Sequence, residues 1–358
     1  MNIAAVGRAF PRHYYDQDTL LEHLEAVWNA EHHNPERLRR LHRNVLVAGR
    51  HLALPLETYR ALDGWGEAND AWIHVAQEIG AQALVDGLER AGLELDAVDA
   101  LFTVTVTGVT TPSLDARLMN RLPLRHDMKR IPIFGLGCVA GAAGIARAAD
   151  YVRAFPDQVA VLLSVELCSL TIQREDLTIP NLIATGLFGD GAAAVVLCGR
   201  DVETVPAAND SEGDLPRIVA TRSVFYPETE NVMGWHISER GFRVILSAEL
   251  PQMVFDHLRG DVDSFLAEHG LTRSDIATWI AHPGGPKVLM AMQEALELPD
   301  GALDVTWRSL REVGNLSSTS VLLVLRDTLE AHRPPPGSWA LLLAMGPGFC
   351  SELVLLRF

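Results

Sequence analysis

The sequence is short of cysteine, of positive charge and of long uncharged segments. None of its four cysteines lies in a CxxC pair, and the gaps between them are too wide for a metal knuckle, so we expect a reducing cytosol and no metal site. The formal net charge of −16 disfavours binding to nucleic acid, which needs many cations. The uncharged run 131–146 is too short to span a bilayer, and residues 1–10 lack a long apolar core. These features predict a cytoplasmic protein without a membrane span or signal peptide.

The length and composition are those of an ordinary globular protein. At about 150 residues per domain, 358 residues make two domains or one large one. Hydrophobic residues form 48% of the chain and charged residues 21%, which excludes disorder, collagen and a disulfide scaffold.

The chain contains a weak internal duplication with an offset of about 178 residues. Three segment pairs recur in the same order: 91–105 with 269–283, 137–152 with 314–329, and 158–167 with 338–347. Each unit is predicted as helix, strand, helix, strand, which favours layered α/β halves around a pseudo-twofold axis. We place the halves at 1–217 and 218–358, with the polar segment 201–217 as connector.

Cys138 is the candidate nucleophile. It lies in the glycine-rich segment 134–141, which predicts a tight turn from a strand into a helix. The partial positive charge and free N–H groups of a helix start favour a thiolate, so we expect a lowered pKa and donors for an oxyanion. A small buried cysteine in a glycine-rich turn is the alternative.

His282 and Asn315 complete the candidate set. His282 ends a predicted buried strand before a Pro-Gly loop, and a polar residue there usually points into a cleft. Asn315 follows Gly314 at a predicted helix start and is equivalent to Cys138 in the duplication. The alternatives are a loop histidine and a helix N-cap, and the second role is compatible with chemistry.

Cysteine, histidine and asparagine together suit acyl transfer from a thioester. The thiolate accepts the acyl group, and a nearby imidazolium keeps it ionised. The histidine and the amide donate hydrogen bonds to a thioester carbonyl, which would stabilise the enolate left when a malonyl group loses CO2.

With these residues in place, the sequence from about residue 30 to Phe358 resembles a type III polyketide synthase of the chalcone synthase superfamily. The resemblance rests on five motifs: Gly137-Cys138-x-Ala140-Gly141, the segment 187–194 (LFGDGAAA), the segment 279–286 (WIAHPGGP), Gly314-Asn315-x-Ser317-Ser318 and the segment 345–348 (MGPG). It implies the α/β thiolase-like fold with two pseudo-duplicated αβαβα halves, a homodimer, and Cys138, His282 and Asn315 as catalytic residues. It also implies acyl-CoA and malonyl-CoA as substrates, with no cofactor, metal or carrier protein.

The resemblance also implies a substrate cavity. Phe188 matches the aromatic gatekeeper between the CoA tunnel and the cavity, whereas the second gatekeeping Phe falls near Val244, which is a departure. The remaining matches to cavity-lining positions are Thr107, Cys168, Thr171, Trp235, Ser317 and Met345. Trp235 replaces a Gly and Cys168 replaces a Thr of the plant chalcone-forming enzymes, so the cavity differs from theirs. Core packing is the alternative for Phe188 and Trp235.

Coenzyme A is expected to bind a basic helix. Arg37, Arg40 and Arg43 are spaced three apart, which places them on one helix face, and guanidinium groups suit phosphates. The resemblance places the CoA phosphates at this segment, and we add Gly284, Gly285 and Lys287 of the loop after His282. A solvated charged face is the alternative.

These observations predict iterative decarboxylative condensation on Cys138, followed by cyclisation to an alkylresorcinol or alkylpyrone as in bacterial enzymes that extend fatty acyl starters. The near alternative is a single-condensation 3-ketoacyl synthase, although the His-Pro-Gly-Gly segment disfavours it. A cysteine protease shares the order Cys, His, Asn but lacks the flanking signature. A non-catalytic binding module is the remaining alternative.

Overall fold

A nine-stranded mixed sheet forms the centre of the computed structural model, which describes residues 1–28, 34–203 and 215–358 but not the side chain of Val27. The strand order is β11-β12-β13-β8-β1-β7-β6-β4-β5. These strands are β1 (Asn2–Ala9), β4 (Ala100–Thr105), β5 (Lys129–Phe134), β6 (Val159–Leu167), β7 (Asp190–Cys198), β8 (Arg217–Phe225), β11 (Ile276–Ala281), β12 (Trp339–Gly346) and β13 (Cys350–Arg357). Two small antiparallel sheets lie outside the large one: β2 (His13–Asp16) with β3 (Gly49–Leu52), and the hairpin of β9 (Met233–Ser238) with β10 (Gly241–Leu246).

Helices cover both faces of the sheet. They are α1 (Gln17–Val27), α2 (Pro35–Asn44), α3 (Gly64–Ala91), α4 (Leu114–Met119), α5 (Ala140–Ala154), α6 (Ile179–Leu187), α7 (Leu250–Ala267), α8 (Pro286–Leu296), α9 (Asp304–Val313) and α10 (Ser320–Ala331). None of the helices in the described ranges is long and apolar enough to cross a membrane.

The predicted duplication is visible in the strand pairing. In the first half β4 runs parallel to β6, β6 antiparallel to β7, and β7 antiparallel to β1. In the second half β11, β12, β13 and β8 repeat the same sequence of pairings. The repeated segments fall on corresponding elements, which are β4 and β11, α5 and α10, and β6 and β12. Strand β5 extends the first half beyond this repeat and ends the sheet.

Alternating strand residues divide the interior into three cores. On β12, Ala340, Leu342 and Ala344 pack in a cluster with α5 and α10, whereas Leu341 and Leu343 pack with α7 and α8. On β6 the same alternation places one set of side chains against α5 and the other against α3. The first half therefore contributes the layers α3, sheet and α5, and the second half contributes α10, sheet, and α7 with α8. The α/β thiolase-like fold is as predicted, but the five layers αβαβα are formed by the two halves together and not by each half.

The boundary between the predicted halves falls beside residues that the structure does not describe. Strand β8 begins at Arg217, and β1 meets it at the pair Asn2 and Arg217. Most of the predicted connector 201–217 lies outside the described residues, so the division into 1–217 and 218–358 stays a prediction.

Candidate active site

Two helix starts, one from each half, meet at Cys138. Cys138 lies in a 3₁₀ turn (Gly137–Val139) that leads into α5, and Ser317 begins the equivalent turn (Ser317–Thr319) before α10. The Cys138 Sγ atom is 3.5 Å from Ser317 Oγ. The two starts approach closely because Gly141 lacks a side chain, since a Cβ there would overlap the Ser318 carbonyl. Ser317 has a φ of 48°, a conformation that non-glycine residues rarely adopt and that clusters at functional sites.

Asn315 uses both ends of its side-chain amide. Its Oδ1 accepts a hydrogen bond from Ser317 N at 2.8 Å, and its Nδ2 donates to the Gly284 carbonyl at 3.2 Å. The backbone of Asn315 pairs with Phe188, because Asn315 N donates to Leu187 O at 2.9 Å and Gly189 N donates to Asn315 O at 3.0 Å. The N-cap of the turn is Leu316 and not Asn315, so the Asn315 amide instead bonds the first residue of the turn and connects Ser317 to the loop that carries His282.

His282 lies directly after β11 and is held by its backbone. Its N–H donates to Leu343 O at 3.0 Å, and its carbonyl accepts from Gly284 N at 2.9 Å. Both ring nitrogens are buried and have no hydrogen-bond partner among the described residues. Buried polar atoms normally have a hydrogen-bond partner, so a bound ligand would supply the partners that these two nitrogens lack. A chain of contacts therefore runs from Cys138 through Ser317, Asn315 and Gly284 to His282.

The expected lowering of the Cys138 pKa is wrong. Burial raises the pKa of the thiol to about 11, and the Glu166 carboxylate adds to the rise, while the hydrogen bond with Ser317 opposes it. Burial also lowers the pKa of His282 to about 4. Burial therefore favours the neutral form of both groups. The helix start favours the thiolate locally, but the loss of water around a buried charge is the larger effect.

Glu166 is a buried carboxylate that the sequence analysis missed. Its Oε2 accepts hydrogen bonds from Thr107 Oγ1 at 2.8 Å, Val106 N at 3.1 Å and Thr105 Oγ1 at 3.2 Å, and its Oε1 accepts from Ser318 Oγ. Burial raises its pKa. The carboxylate thereby ties the end of β4 to the turn that carries Ser317, next to Cys138.

A cavity of about 430 Å³ opens beside this centre. Among the predicted cavity residues, Cys168, Thr171, Phe188 and Trp235 line it, and so does Val244. Trp235 faces Val244 across the β9–β10 hairpin, and its ring lies 6.4 Å from that of Phe188. The aromatic residues at the cavity wall thus follow the predicted pattern, with a small Val where the second Phe was expected.

Other predicted residues do not line this cavity. Thr107 is buried and bonded to Glu166, and Met345 belongs to the core under α7 and α8. Ser317 contacts Cys138, and none of Cys138, His282 and Asn315 belongs to the described lining either. Phe188 links the two regions, because it lines the cavity and pairs with Asn315.

The cavity wall also contains polar residues that the sequence analysis did not identify. Arg50, Tyr59 and Ser169 line it, and the Tyr59 hydroxyl lies 2.5 Å from Ser169 Oγ. Ser169 Oγ donates in turn to Asp190, a buried carboxylate whose pKa burial raises to about 6. These residues come from three distant segments, so no local spacing announces the cluster.

The predicted CoA-binding residues lie at the surface. Arg37, Arg40 and Arg43 are exposed on α2, and none of the three forms an ion pair within the described residues, whereas Arg39 pairs with Glu25 at 2.7 Å. Lys287 is exposed in the first turn of α8 and follows Gly284 and Gly285 in the chain. Residues 1–28, 34–203 and 215–358 contain no group of three or more His, Cys, Asp or Glu that could hold a metal ion.

Comparison with known proteins gives one consistent result. The models for the N-terminal and C-terminal domains of chalcone and stilbene synthases match residues 1–201 and 217–358. The 1,3,6,8-tetrahydroxynaphthalene synthase of Streptomyces peucetius subsp. caesius is 53% identical, with 100% of this chain and 93% of that protein covered. The 3,5-dihydroxyphenylacetyl-CoA synthase of Streptomyces toyocaensis is 34% identical, with 99% and 90% covered. The crystal structure of the 1,3,6,8-tetrahydroxynaphthalene synthase of Streptomyces coelicolor A3(2) superposes with a TM-score of 0.90 at 30% identity, with 100% and 99% covered.

Proposed function

Because the chain belongs to the chalcone and stilbene synthase family and is a type III polyketide synthase, we propose that it condenses malonyl-CoA units into a polyhydroxylated aromatic product of the tetrahydroxynaphthalene kind. Enzymes of this family use coenzyme A thioesters without a cofactor or carrier protein. The observation that carries the product assignment is the 53% identity, over 357 residues, to an enzyme named for that product.

The proposal assigns acyl loading to Cys138. The thiol attacks the thioester carbonyl carbon, a new carbon–sulfur bond forms, and the bond to the CoA sulfur breaks. Because burial favours the neutral form of both side chains before substrate binds, the thiol proton passes to the His282 imidazole during the attack and from there to the departing CoA sulfur. The Ser317 hydroxyl, which comes from the other half of the chain, contacts the Cys138 sulfur.

Chain extension is assigned to His282 and Asn315. Malonyl-CoA loses CO2 when the bond to its carboxylate breaks, and that electron pair forms an enolate. A neutral imidazole has one N–H, and the Asn315 amide keeps one N–H beyond its bond to Gly284, so the pair offers two donors to the enolate oxygen. The enolate carbon then attacks the Cys138 thioester and releases the thiol sulfur.

The chemistry of the cavity supports a product rich in oxygen. Its lining includes the polar side chains of Arg50, Tyr59, Ser169 and Thr171, and Arg50 Nε has no hydrogen-bond partner among the described residues. The same cavity also contains Leu20, Leu24, Leu52 and Leu56, which would suit an alkyl chain. An alkylresorcinol or alkylpyrone made from a fatty acyl starter is therefore the second candidate.

Incubation of the purified protein with malonyl-CoA alone, and with malonyl-CoA plus a panel of fatty acyl-CoA starters, tests the product. We expect turnover with malonyl-CoA alone and a mass spectrum that contains only malonyl-derived carbon, with several malonyl units consumed per product. A strict requirement for a fatty acyl-CoA would support the second candidate instead. One malonyl unit per product would indicate a single-condensation 3-ketoacyl synthase.

A homodimer and CoA binding at α2 are further parts of the proposal. Strand β5 ends the sheet with its outer edge unpaired in the described residues, and Phe134 at its end is 49% exposed. An exposed edge with an apolar residue is a surface that a second copy would cover. Arg37, Arg40 and Arg43 remain available on α2 for phosphate groups. The cytoplasmic location stays a prediction.

A further inference from the structure

Arg50 is a buried arginine that forms no salt bridge within the described residues, although the buried Asp190 carboxylate attracts it over a longer distance. It lies on β3 with 3% of its surface exposed, and no Asp or Glu of the described residues lies within ion-pair distance of it. A buried guanidinium is costly unless its N–H groups are satisfied. Arg326, the other buried arginine of the described residues, meets this need with an ion pair to Asp86 at 2.5 Å. In Arg50, Nη1 and Nη2 bind a backbone carbonyl and an amide oxygen instead, and Nε has no hydrogen-bond partner among the described residues.

The guanidinium of Arg50 holds the backbone on which Phe188 sits. Nη1 donates to the Phe188 carbonyl at 2.8 Å, and Nη2 donates to Gln17 Oε1 at 3.2 Å. Gln17 Nε2 donates in turn to the Gly186 carbonyl at 2.9 Å. Arg50 and Gln17 thus bind the carbonyl groups on both sides of Leu187, where α6 ends.

The same backbone segment pairs with Asn315. Leu187 O accepts from Asn315 N, and Gly189 N donates to Asn315 O. Gly314 allows the arginine stem to pass at this junction, since a Cβ there would lie 3.1 Å from Arg50 Cδ and only 2.6 Å from Leu187 O. The segment 186–189 is therefore fixed by Gln17 through the Gly186 carbonyl, by Arg50 through the Phe188 carbonyl, and by Asn315 through Leu187 O and Gly189 N.

We propose that Arg50, with Gln17, is a positioning residue that fixes the Phe188–Asn315 junction and so aims the Asn315 amide and the Phe188 ring during decarboxylative condensation. The inference rests on the proposed function, because it acts through the amide that is assigned to enolate binding. A displacement of about 1 Å at such a group costs about a hundredfold in rate. Arg50 itself needs no contact with substrate for this role.

The test compares steady-state kinetics of Arg50→Met, Arg50→Lys and Gln17→Leu with malonyl-CoA as substrate. For Arg50→Met we expect kcat to fall at least about tenfold while KM changes less than about threefold. The reason is that the Asn315 amide loses its orientation, whereas the CoA-binding surface stays intact. Arg50→Lys should recover part of kcat, since an ammonium reaches the Phe188 carbonyl but cannot also hold Gln17. Gln17→Leu should lower kcat by a smaller factor.

Arg326→Met is the matched control, because it removes a buried arginine from an ion pair on α10 rather than from the junction. It should lower the melting temperature and leave kcat per folded molecule unchanged. The inference is overturned if Arg50→Met retains the wild-type kcat, or if Arg326→Met loses as much kcat as Arg50→Met. If Arg50→Met does not fold, an unchanged kcat in Gln17→Leu overturns it. Failure of the wild-type protein to turn over malonyl-CoA would instead overturn the proposed function.

Discussion

Burial sets the protonation state of two histidines that lie far apart in the sequence. It lowers the pKa of His42 to about 3, with the Arg50 cation adding to the fall, and it lowers the pKa of His282 to about 4. In the unfolded chain both titrate near the ordinary value of 6.5. Above that pH the folded and unfolded states bind equal protons at these sites. As the pH falls below it, the unfolded chain gains protons first, so stability is lost.

The variant His42→Gln tests this linkage. By pH 5 each neutral buried histidine costs about 2 kcal/mol of unfolding free energy relative to pH 7.5. Urea unfolding at the two pH values should therefore show a smaller loss in His42→Gln than in the wild-type protein, although the variant loses the contact with Thr185 at both. The exposed His74→Gln is the control and should behave as wild type. An equal loss in His42→Gln and wild type would contradict the assignment.

Local sequence identified Cys138, His282 and Asn315 as candidates for the chemistry, but not their charge state or the contacts that support them. The glycine-rich turn and the helix start around Cys138 are short-range features, and the structure confirms both. The pKa of Cys138 depends instead on burial by both halves of the fold. Glu166 and Ser318 are 152 residues apart in the chain, and Arg50 and Phe188 are 138 apart. Contacts of that range leave no periodic trace in the sequence.

At the scale of elements, the β9–β10 hairpin sets the width of the cavity. Trp235 contacts the rings of Phe188 and Phe242, whose centroids lie 6.4 and 6.1 Å away, and faces Val244 across the hairpin.

In Trp235→Ala we expect kcat/KM for bulky acyl-CoA starters to rise relative to malonyl-CoA, because the removed indole leaves room beside Phe188. Competition assays with paired starters measure the ratio. Trp307→Ala, at a half-buried tryptophan outside the cavity lining, should leave it unchanged, and the same ratio in both variants would contradict this role.

Helix α2 carries the predicted phosphate-binding face. For Arg40→Gln we expect KM for malonyl-CoA to rise about fivefold, which corresponds to about 1 kcal/mol, with kcat unchanged and with a weaker dependence of KM on salt. Arg39→Gln is the matched control on the same helix, because Arg39 is already paired with Glu25. Equal KM values for Arg40→Gln and wild type would place the CoA phosphates elsewhere.

The elements themselves were predictable where burial is regular. Strands β6 and β12 are buried along nearly their whole length, and each is a mostly apolar run, which in β6 is interrupted by Ser164 and Glu166. Helices α5 and α10 share small residues at the start and apolar periodicity after it, which revealed the duplication. Strand β5 has no counterpart in the second half. Its alternating pattern of partial burial can be interpreted as that of an edge strand only once its place at the end of the sheet is known.

At the scale of the whole molecule, the free edge of β5 predicts self-association. The chain has a mass of 39.2 kDa, so light scattering after gel filtration should give about twice this value, as expected of a dimer. Phe134→Lys should shift the protein toward the monomer, because a charge replaces the exposed ring on the edge. The control is Phe255→Lys, which changes an exposed Phe on α7 and should leave the dimer intact. A monomeric wild-type protein would contradict the proposal.

The central claim is that the growing chain is carried on the sulfur of Cys138. Mass spectrometry of the intact protein after brief exposure to malonyl-CoA, followed by peptide mapping, tests it most directly. We predict an acyl adduct on the peptide that contains Cys138 in the wild-type protein and in Cys168→Ala, and neither adduct nor aromatic product in Cys138→Ala. Product release by folded Cys138→Ala, or an adduct confined to Cys168, would contradict the account.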